Sequence, residues 1–166
     1  MSLAVVRIRG KGDLRHEVKD TLRMLHLTRQ NHCTILPGDK TFRGMLRLVK
    51  DHVTWGEIDP EILAKLLLRR GRAVGDRPID DAFVKANSRF KSIWDLSQAI
   101  AKGEASLRDV ANLRPLLRLP PPRKGFRAIK RGYNDGGDLG YRGTAINDLL
   151  RRMIPEEAST DAVKDS

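Results

Sequence analysis

The groups that this sequence sets out at regular spacing are cations. Arg43, Arg47 and Lys50 recur at i, i+4 and i+7, and Arg15, Lys19 and Arg23 make an earlier stripe. On a helix each trio lies along one face. A third set has no period: Arg123, Lys124, Arg127, Lys130, Arg131 and Arg142, with Phe126, Tyr133 and Tyr141 between them. Ammonium and guanidinium groups pair with phosphates, and rings and guanidinium planes stack on unpaired bases. A solvated helix exterior is the plainer reading of three charges on one helix. It does not account for 32 Lys and Arg against 21 Asp and Glu, a net charge of +11 and a pI of about 10.3. Such a balance points to a polyanion, nucleic acid before acidic membrane.

The excess is concentrated. Residues 1–50 carry a net +7, residues 51–113 none, residues 114–154 again +7, and residues 155–166 a net −3. Two basic blocks flank a neutral middle, and an acidic tail closes the chain. A binding surface built from both ends explains that pattern better than general solubility does.

Other chemistry finds little support. Four histidines and one cysteine show no metal-ligand spacing, so no metal site is expected. Gly10-x-Gly12 lacks the third glycine and the distant acid of a dinucleotide loop, and there is no phosphate-binding P-loop or G-x-S-x-G elbow. Asp135 and Asp138 sit among glycines in a basic stretch, where turn formation and charge balance explain them. The single Cys33 excludes an internal disulfide, reads as a small buried residue in a strand, and fits a reduced cytosolic setting. The opening MSLAVVRIRG lacks the apolar run of a signal peptide, and no run of apolar residues is long enough to span a membrane.

The elements that must position these cations follow from the pattern of apolar residues. Leu3–Arg9 alternates, with Val6 and Ile8 one way and Arg7 and Arg9 the other, which predicts a half-buried strand with arginines outside. Asp13 is expected to cap a helix with Leu14, Val18, Leu22 and Leu25 as its apolar stripe. His32–Leu36 reads as a strand, and Pro37-Gly38-Asp39 breaks it. Thr41 is expected to cap a helix whose core face is Phe42, Met45, Leu46 and Val49. A β-α-β-α order predicts two parallel strands with both helices on one sheet face. Val53–Ile58 reads as a strand or hinge. Asp59-Pro60, Asp80, Ser92 and Ser106 start helical stretches, and Gly71 and Gly103 end them. Residues 59–113 thus form a neutral helical insertion, expected to serve packing or protein contact. Residues 116–119 are the short strand that completes the sheet. Segment 120–143 has excess Pro and Gly and cannot fold alone. Thr144 is expected to cap a last helix with Ala145, Ile146, Leu149, Leu150 and Met153 inward, before a frayed tail at 155–166.

Several strings, in order along residues 3–154, carry a resemblance. They are Val6-Arg-Ile-Arg-Gly10, Leu25-His-Leu-Thr-Arg-Gln-Asn-His-Cys-Thr34, Arg43-Gly44-Met45, Trp55-Gly56, Arg70-Gly71 and Leu117-Arg-Leu-Pro-Pro-Pro-Arg123. Gly136-Gly-Asp-Leu-Gly140 then leads into Ile146-Asn-Asp-Leu-Leu-Arg-Arg-Met153. The chain resembles the large-subunit ribosomal protein family called L-thirty in bacteria and L-seven in eukaryotes. With the helical insertion and without the long basic N-terminal extension of the eukaryotic form, it is most similar to the archaeal form. It departs at Arg123-Lys124-Gly125, where the family leads one to expect Arg-Gly-Gly.

The resemblance implies an α+β fold: a ferredoxin-like split β-α-β core (residues 1–58 and 114–154) with the insertion at 59–113 and the extended basic loop at 120–143. It implies a non-catalytic component of the large ribosomal subunit in the cytoplasm. That component binds ribosomal RNA, touches neighbouring ribosomal proteins through the insertion, and needs no cofactor, small-molecule substrate or membrane. The residues expected at phosphates are Arg9, Lys11, Arg29, Lys40, Arg43, Arg47, Arg123, Lys124, Arg127, Lys130, Arg131 and Arg142. Trp55 and Tyr141 are expected to stack. The alternatives are a nucleic-acid-processing enzyme on a ferredoxin-like fold and a regulatory module binding a small ligand between two such domains. The enzyme needs an acid, base or metal cluster that the sequence does not show, and outward Arg7 and Arg9 oppose the module.

Overall fold

The computed structural model describes residues 1–10, 12 and 14–154, so Lys11, the expected cap Asp13 and the acidic tail lie outside the described residues. A continuous apolar run makes β1 (Ser2–Arg7) the centre of a sheet. The chain continues through α1 (His16–Met24), β2 (His32–Pro37), α2 (Lys40–Leu48) and β3 (Val53–Glu57). The insertion supplies α3 (Pro60–Arg70), a small hairpin of β4 (Arg72–Ala73) and β5 (Arg77–Pro78), α4 (Asp81–Asn87) and α5 (Ile93–Lys102). Two short strands, β6 (Leu117–Arg118) and β7 (Gly140–Tyr141), bracket the basic loop, and α6 (Ile146–Met153) follows.

The five-stranded sheet has the order β6-β2-β1-β3-β7. The α+β, ferredoxin-like class holds, but one expectation about strand direction does not. β1 and β2 are adjacent and antiparallel, with Val6 opposite Cys33. Long loops flank α1, and Asn31 N donates to Arg7 O at 2.7 Å, so the chain returns to the end of the sheet it left. A parallel crossover would have had to re-enter at the opposite end. The sheet is completed chiefly by β3, antiparallel to β1 over five register pairs, while β6 is a two-residue edge strand on β2.

Each face of the sheet carries its own core. On one, Leu3 and Val5 pack with Val18 and Leu22 of α1 and with Leu46 and Val49 around α2. On the other, Ala4 and Val6 pack with Ile62 and Leu66 of α3, Leu96 of α5 and Leu150 of α6. Both early helices do share one face, and the insertion covers the other. Every residue of β1 is therefore buried, Arg7 included, which corrects the expectation that Arg7 points outward. A strand covered on both sides reads as a near-continuous apolar run rather than an alternation.

Helix starts follow the local chemistry in part: Asp59 stands at the N-cap of α3 ahead of Pro60 without a side-chain cap bond, and α1 follows Arg15, which caps nothing. The Asp80 carboxylate accepts from Phe83 N at 2.8 Å and the Ser92 hydroxyl from Asp95 N at 3.2 Å. Asp39, not Thr41, caps α2: its carboxylate accepts from Phe42 N at 3.0 Å, because the Pro-Gly turn delivers the chain into the helix two residues earlier. Thr144 lies inside a 3-10 turn (Gly143–Ala145) that runs directly into α6, so its hydroxyl caps nothing. That turn crosses β3 closely: a Cβ at Gly56 would run into the carbonyl oxygen of Gly143. Gly56→Ala is expected to lower the unfolding free energy by about 1–3 kcal/mol, the usual cost of overpacking. Urea titration checks it, and an unchanged midpoint would contradict the close packing of that turn on β3.

Candidate nucleic-acid interface

A single row crosses all five strands: Leu117, Cys33, Val6, Thr54 and Gly140 are paired in register. The basic loop leaves the sheet at one end of this row and re-enters at the other. It thus spans about 19 Å, four strand spacings of roughly 4.8 Å. Arg9, Arg29 and Arg118 flank the same end of the sheet. Their fields are felt by two histidines there. Burial first, then Arg118, Arg29 and Arg7, pushes His32 below the ordinary imidazole value; burial, then Arg9 and Arg7, does the same to His52.

The loop is anchored by its one buried acid. The Asp138 carboxylate accepts from the backbone N–H of Arg127 and, at 3.1 Å, from that of Ala128. It also accepts from Arg142 Nη2 at 3.0 Å, and the two side chains are only 1% and 4% exposed. Arg142 Nε donates to Thr54 Oγ1 at 2.8 Å, which ties the pair to β3. The guanidiniums of Arg127 and Arg142 lie 4.9 and 4.8 Å from the Tyr133 ring centroid. At the other end, Arg123 donates to Ile154 O and Arg151 O, both at 3.0 Å, closing the C-terminus of α6, where a cation meets exposed carbonyls. Arg152 Nη1 answers with bonds to Arg123 O and Gly125 O at 3.0 and 2.8 Å. A segment expected to have no structure of its own is thus folded by five charged side chains and the rest of the protein.

These contacts sort the expected residues. Lys124, Lys130 and Arg131 are exposed and make no ion pair among the described residues. Lys124 holds φ at +67°, a left-handed conformation that suits the glycine expected there. Arg127 is exposed but engaged, donating to Gly137 O at 2.6 Å. Arg123 caps a helix. Arg142 is buried, so the structure uses it to hold the loop and does not present it to a phosphate. Lys40, Arg43 and Arg47 stand exposed along α2, with Gly44 between them. Nothing lies within 4 Å of where a Gly44 Cβ would sit.

Trp55 and Tyr141 come together. Their ring centroids are 6.4 Å apart at 50°, and with Leu3, Arg43 and Glu57 they line a cleft of about 270 Å³. Trp55 is half-buried against the α1–α2 core, while Tyr141 is 51% exposed. Tyr141 donates its hydroxyl to Glu57 at 2.7 Å, and that bond raises its pKa. Rings, a cation and a carboxylate acceptor in one cleft suit an unpaired base. Cys33 is buried and its thiol pushed up to about 12 by burial, so it is unreactive. Among the described residues, no group of three or more His, Cys, Asp and Glu is placed to hold a metal, and no helix is long and apolar enough to cross a membrane.

The family described as Ribosomal protein L30p/L7e matches residues 3–53. The large ribosomal subunit protein uL30 of Methanoculleus marisnigri is 47% identical over 150 residues, which cover 90% of this chain and 98% of that protein. The chain belongs to the uL30 family. Proteins of the same name from Methanoregula boonei and Archaeoglobus fulgidus are 48% and 46% identical, over 90% of this chain and 98% of each relative. The archaeal form expected from the sequence is the form found. These family members are named as ribosomal subunit proteins, not enzymes, and their lengths match the β-α-β-α-β core with its insertion. Arg118, opposite His32 on the edge strand, is a member of the cationic end that the sequence did not single out. Its signal was the Leu-Leu-Arg-Leu pattern, which puts one charge on an otherwise apolar strand.

Two predictions follow from this geometry. Arg142→Met leaves Asp138 buried without its counter-charge and is expected to cost about 3–5 kcal/mol in urea titration; Lys130→Met, at an exposed position, is expected to leave the midpoint within experimental scatter. Both histidines titrate lower in the folded chain than at the ordinary 6.5, so the unfolded chain binds more protons. Their contribution to stability is complete above pH about 6.5 and falls as the pH drops through the depressed values. The urea midpoint should fall from pH 7.5 to 5.5, and His32→Gln/His52→Gln should flatten that fall. An identical fall in the double variant would assign it to carboxylates.

Proposed function

We propose that this chain is a structural component of the large ribosomal subunit that binds ribosomal RNA through three adjoining surfaces. These are the cationic end of the sheet with Lys124, Lys130 and Arg131, the exposed side of α2, and the Trp55–Tyr141 cleft. The observation that carries the reading is the basic loop: it is folded around Asp138 and Arg142 so that Lys124, Lys130 and Arg131 project with no acidic partner among the described residues. RNA helices crowd phosphates that repel one another, and cations placed between them offset that repulsion. Membership of the uL30 family supports the same reading and gives the ribosome as the setting. Arg9 and Arg29 join Arg118 at the sheet end, Lys11 belongs to the same set by its sequence position, and neighbouring ribosomal proteins are the natural partners of exposed parts of the insertion.

Gly44 supports the assignment of α2. A glycine in mid-helix costs about 1 kcal/mol relative to alanine. Packing does not require it, since the space beside it is open. A bare stretch of backbone among Lys40, Arg43 and Arg47 lets an RNA strand approach the helix closely.

The test is titration with large-subunit ribosomal RNA at several salt concentrations. Lys124→Ala/Lys130→Ala/Arg131→Ala is expected to flatten the slope of log affinity against log salt by about two to three units. An unchanged slope removes the loop from the contact surface. Gly44→Ala should raise the urea midpoint and weaken RNA binding together; tighter or equal binding would remove α2.

A further inference from the structure

Segment 51–113 carries no net charge, yet two of its arginines meet two from the basic block that follows it. Arg70 at the end of α3, Arg72 in β4, Arg114 just before β6 and Arg118 in β6 line one cleft of about 170 Å³ together with Asp76 and Leu116. Backbone contacts bring the strands of this cleft together: Arg114 N donates to Arg72 O at 3.0 Å, and Ala73 bridges Leu113.

One carboxylate faces four guanidiniums. Its contact with Arg118 is 3.8 Å long and more than half exposed on both sides, a pair worth little. Arg72 donates to Arg69 O and Gly71 O at 3.3 and 2.8 Å, which closes the C-terminus of α3. A helix end gives a reason for one arginine, not four. Arg70 Nε is shut off from solvent with no hydrogen-bond partner. The guanidinium of Arg114 makes no hydrogen bond or ion pair among the described residues. Like charges in a half-enclosed cleft repel, and a donor left unpaired there carries a desolvation cost. An anion would relieve both. All four cations are arginine and none is lysine, and the planar fork of a guanidinium matches two oxygens of one phosphate.

We propose that Arg70, Arg72, Arg114 and Arg118 form a further phosphate site, so that the helical insertion is itself an RNA-contacting surface. This rests on the RNA-binding reading above. A backbone phosphate is favoured over an acidic protein segment by continuity. Arg118 stands opposite His32 in register and acts on it together with Arg29, so the cleft opens off the cationic end of the sheet. The cleft also lacks an apolar rim beyond Leu116 on which a peptide would pack.

The experiment uses the full chain and large-subunit ribosomal RNA transcribed from Methanoculleus marisnigri. Arg70→Gln/Arg114→Gln is expected to flatten the salt slope by about 1.4 to 1.8 units, two phosphate contacts' worth, while the urea midpoint holds or rises because two repelling charges are gone. An unchanged slope overturns the proposal, and is the result an acidic protein partner would give. A lowered midpoint with an unchanged slope makes the arginines structural and overturns it equally. Arg70→Lys/Arg114→Lys covers the case in which the first variant does not fold: it should keep the slope and lose affinity several-fold, since an ammonium has no fork, and equal affinity counts against the site. If the unaltered chain shows no salt-dependent binding, the RNA-binding reading itself fails, a result distinct from failure of this cleft alone.

Discussion

The ion pair between Asp138 and Arg142 decides what the basic half of this protein can do. A loop rich in Lys, Arg, Gly and Pro has little apolar surface to bury and repels itself. One carboxylate, withdrawn from solvent, reverses that locally. It takes two backbone amides at 127 and 128 and the Arg142 guanidinium, and Arg142 in turn reaches Thr54 on β3. The loop is thereby closed on itself and fastened to the sheet through one pair. Burying two charges carries a desolvation cost that a surface pair avoids. Here the cost is offset by further hydrogen bonds on both partners, and what it secures, together with the Arg123 and Arg152 contacts at the other end of the loop, is position: three cations fixed on the outside of a segment with little apolar surface to hold them.

The sheet sets where that position is. Because β1 lies between two antiparallel neighbours, the N-terminal end of β2, the N-terminal end of β3 and the C-terminal end of β1 coincide. The loop's two short strands join the outer edges of this row. Charges distant in sequence, at 9, 29, 118 and 123–131, therefore gather at one end of the molecule. The depressed histidines are the internal sign of that gathering: burial, and then arginines from several elements at once, hold His32 and His52 below the ordinary imidazole value. A parallel arrangement of β1 and β2 would have put the turn after β1 and the start of β2 at opposite ends and divided the surface.

Much of this was legible in the sequence. Helix faces were readable because period and amphipathy agree, as in α2 with Leu46 inside and Arg43 and Arg47 outside. Strand direction was not, because a single helix between strands has the same sequence signature whether the chain returns to the near or the far end; the loop lengths decided it. Arg7 was misread because alternation in β1 was assumed to mean one wet face, whereas its guanidinium donates to Leu27 O, Arg9 O and Gly10 O inside the protein. Arg142 was grouped with the loop's cations by composition alone, and nothing short of the Asp138 contact distinguishes it. The arginine cleft was hidden by the division of the chain: Arg70 and Arg72 belong to a segment with no net charge, Arg114 and Arg118 to the basic block after it, and only the fold brings the two pairs together.

Several local features that weaken this fold fall on the surfaces proposed to meet RNA. Lys124 holds a left-handed backbone, Gly44 interrupts a helix where alanine would fit, and Arg70 and Arg114 sit beside other arginines in a cleft with one carboxylate among the described residues. In the core the choices run the other way, with apolar side chains filling both faces of β1. Local choices that oppose stability are expected where binding, not folding, sets the residue. Each of them is a deficit in the free chain that a polyanion can relieve: repelling charges by phosphates, a bare helix backbone by close approach, an exposed ring pair by a base. The free protein is therefore incomplete electrostatically rather than structurally, and its stability should rise on binding a polyanion at these surfaces.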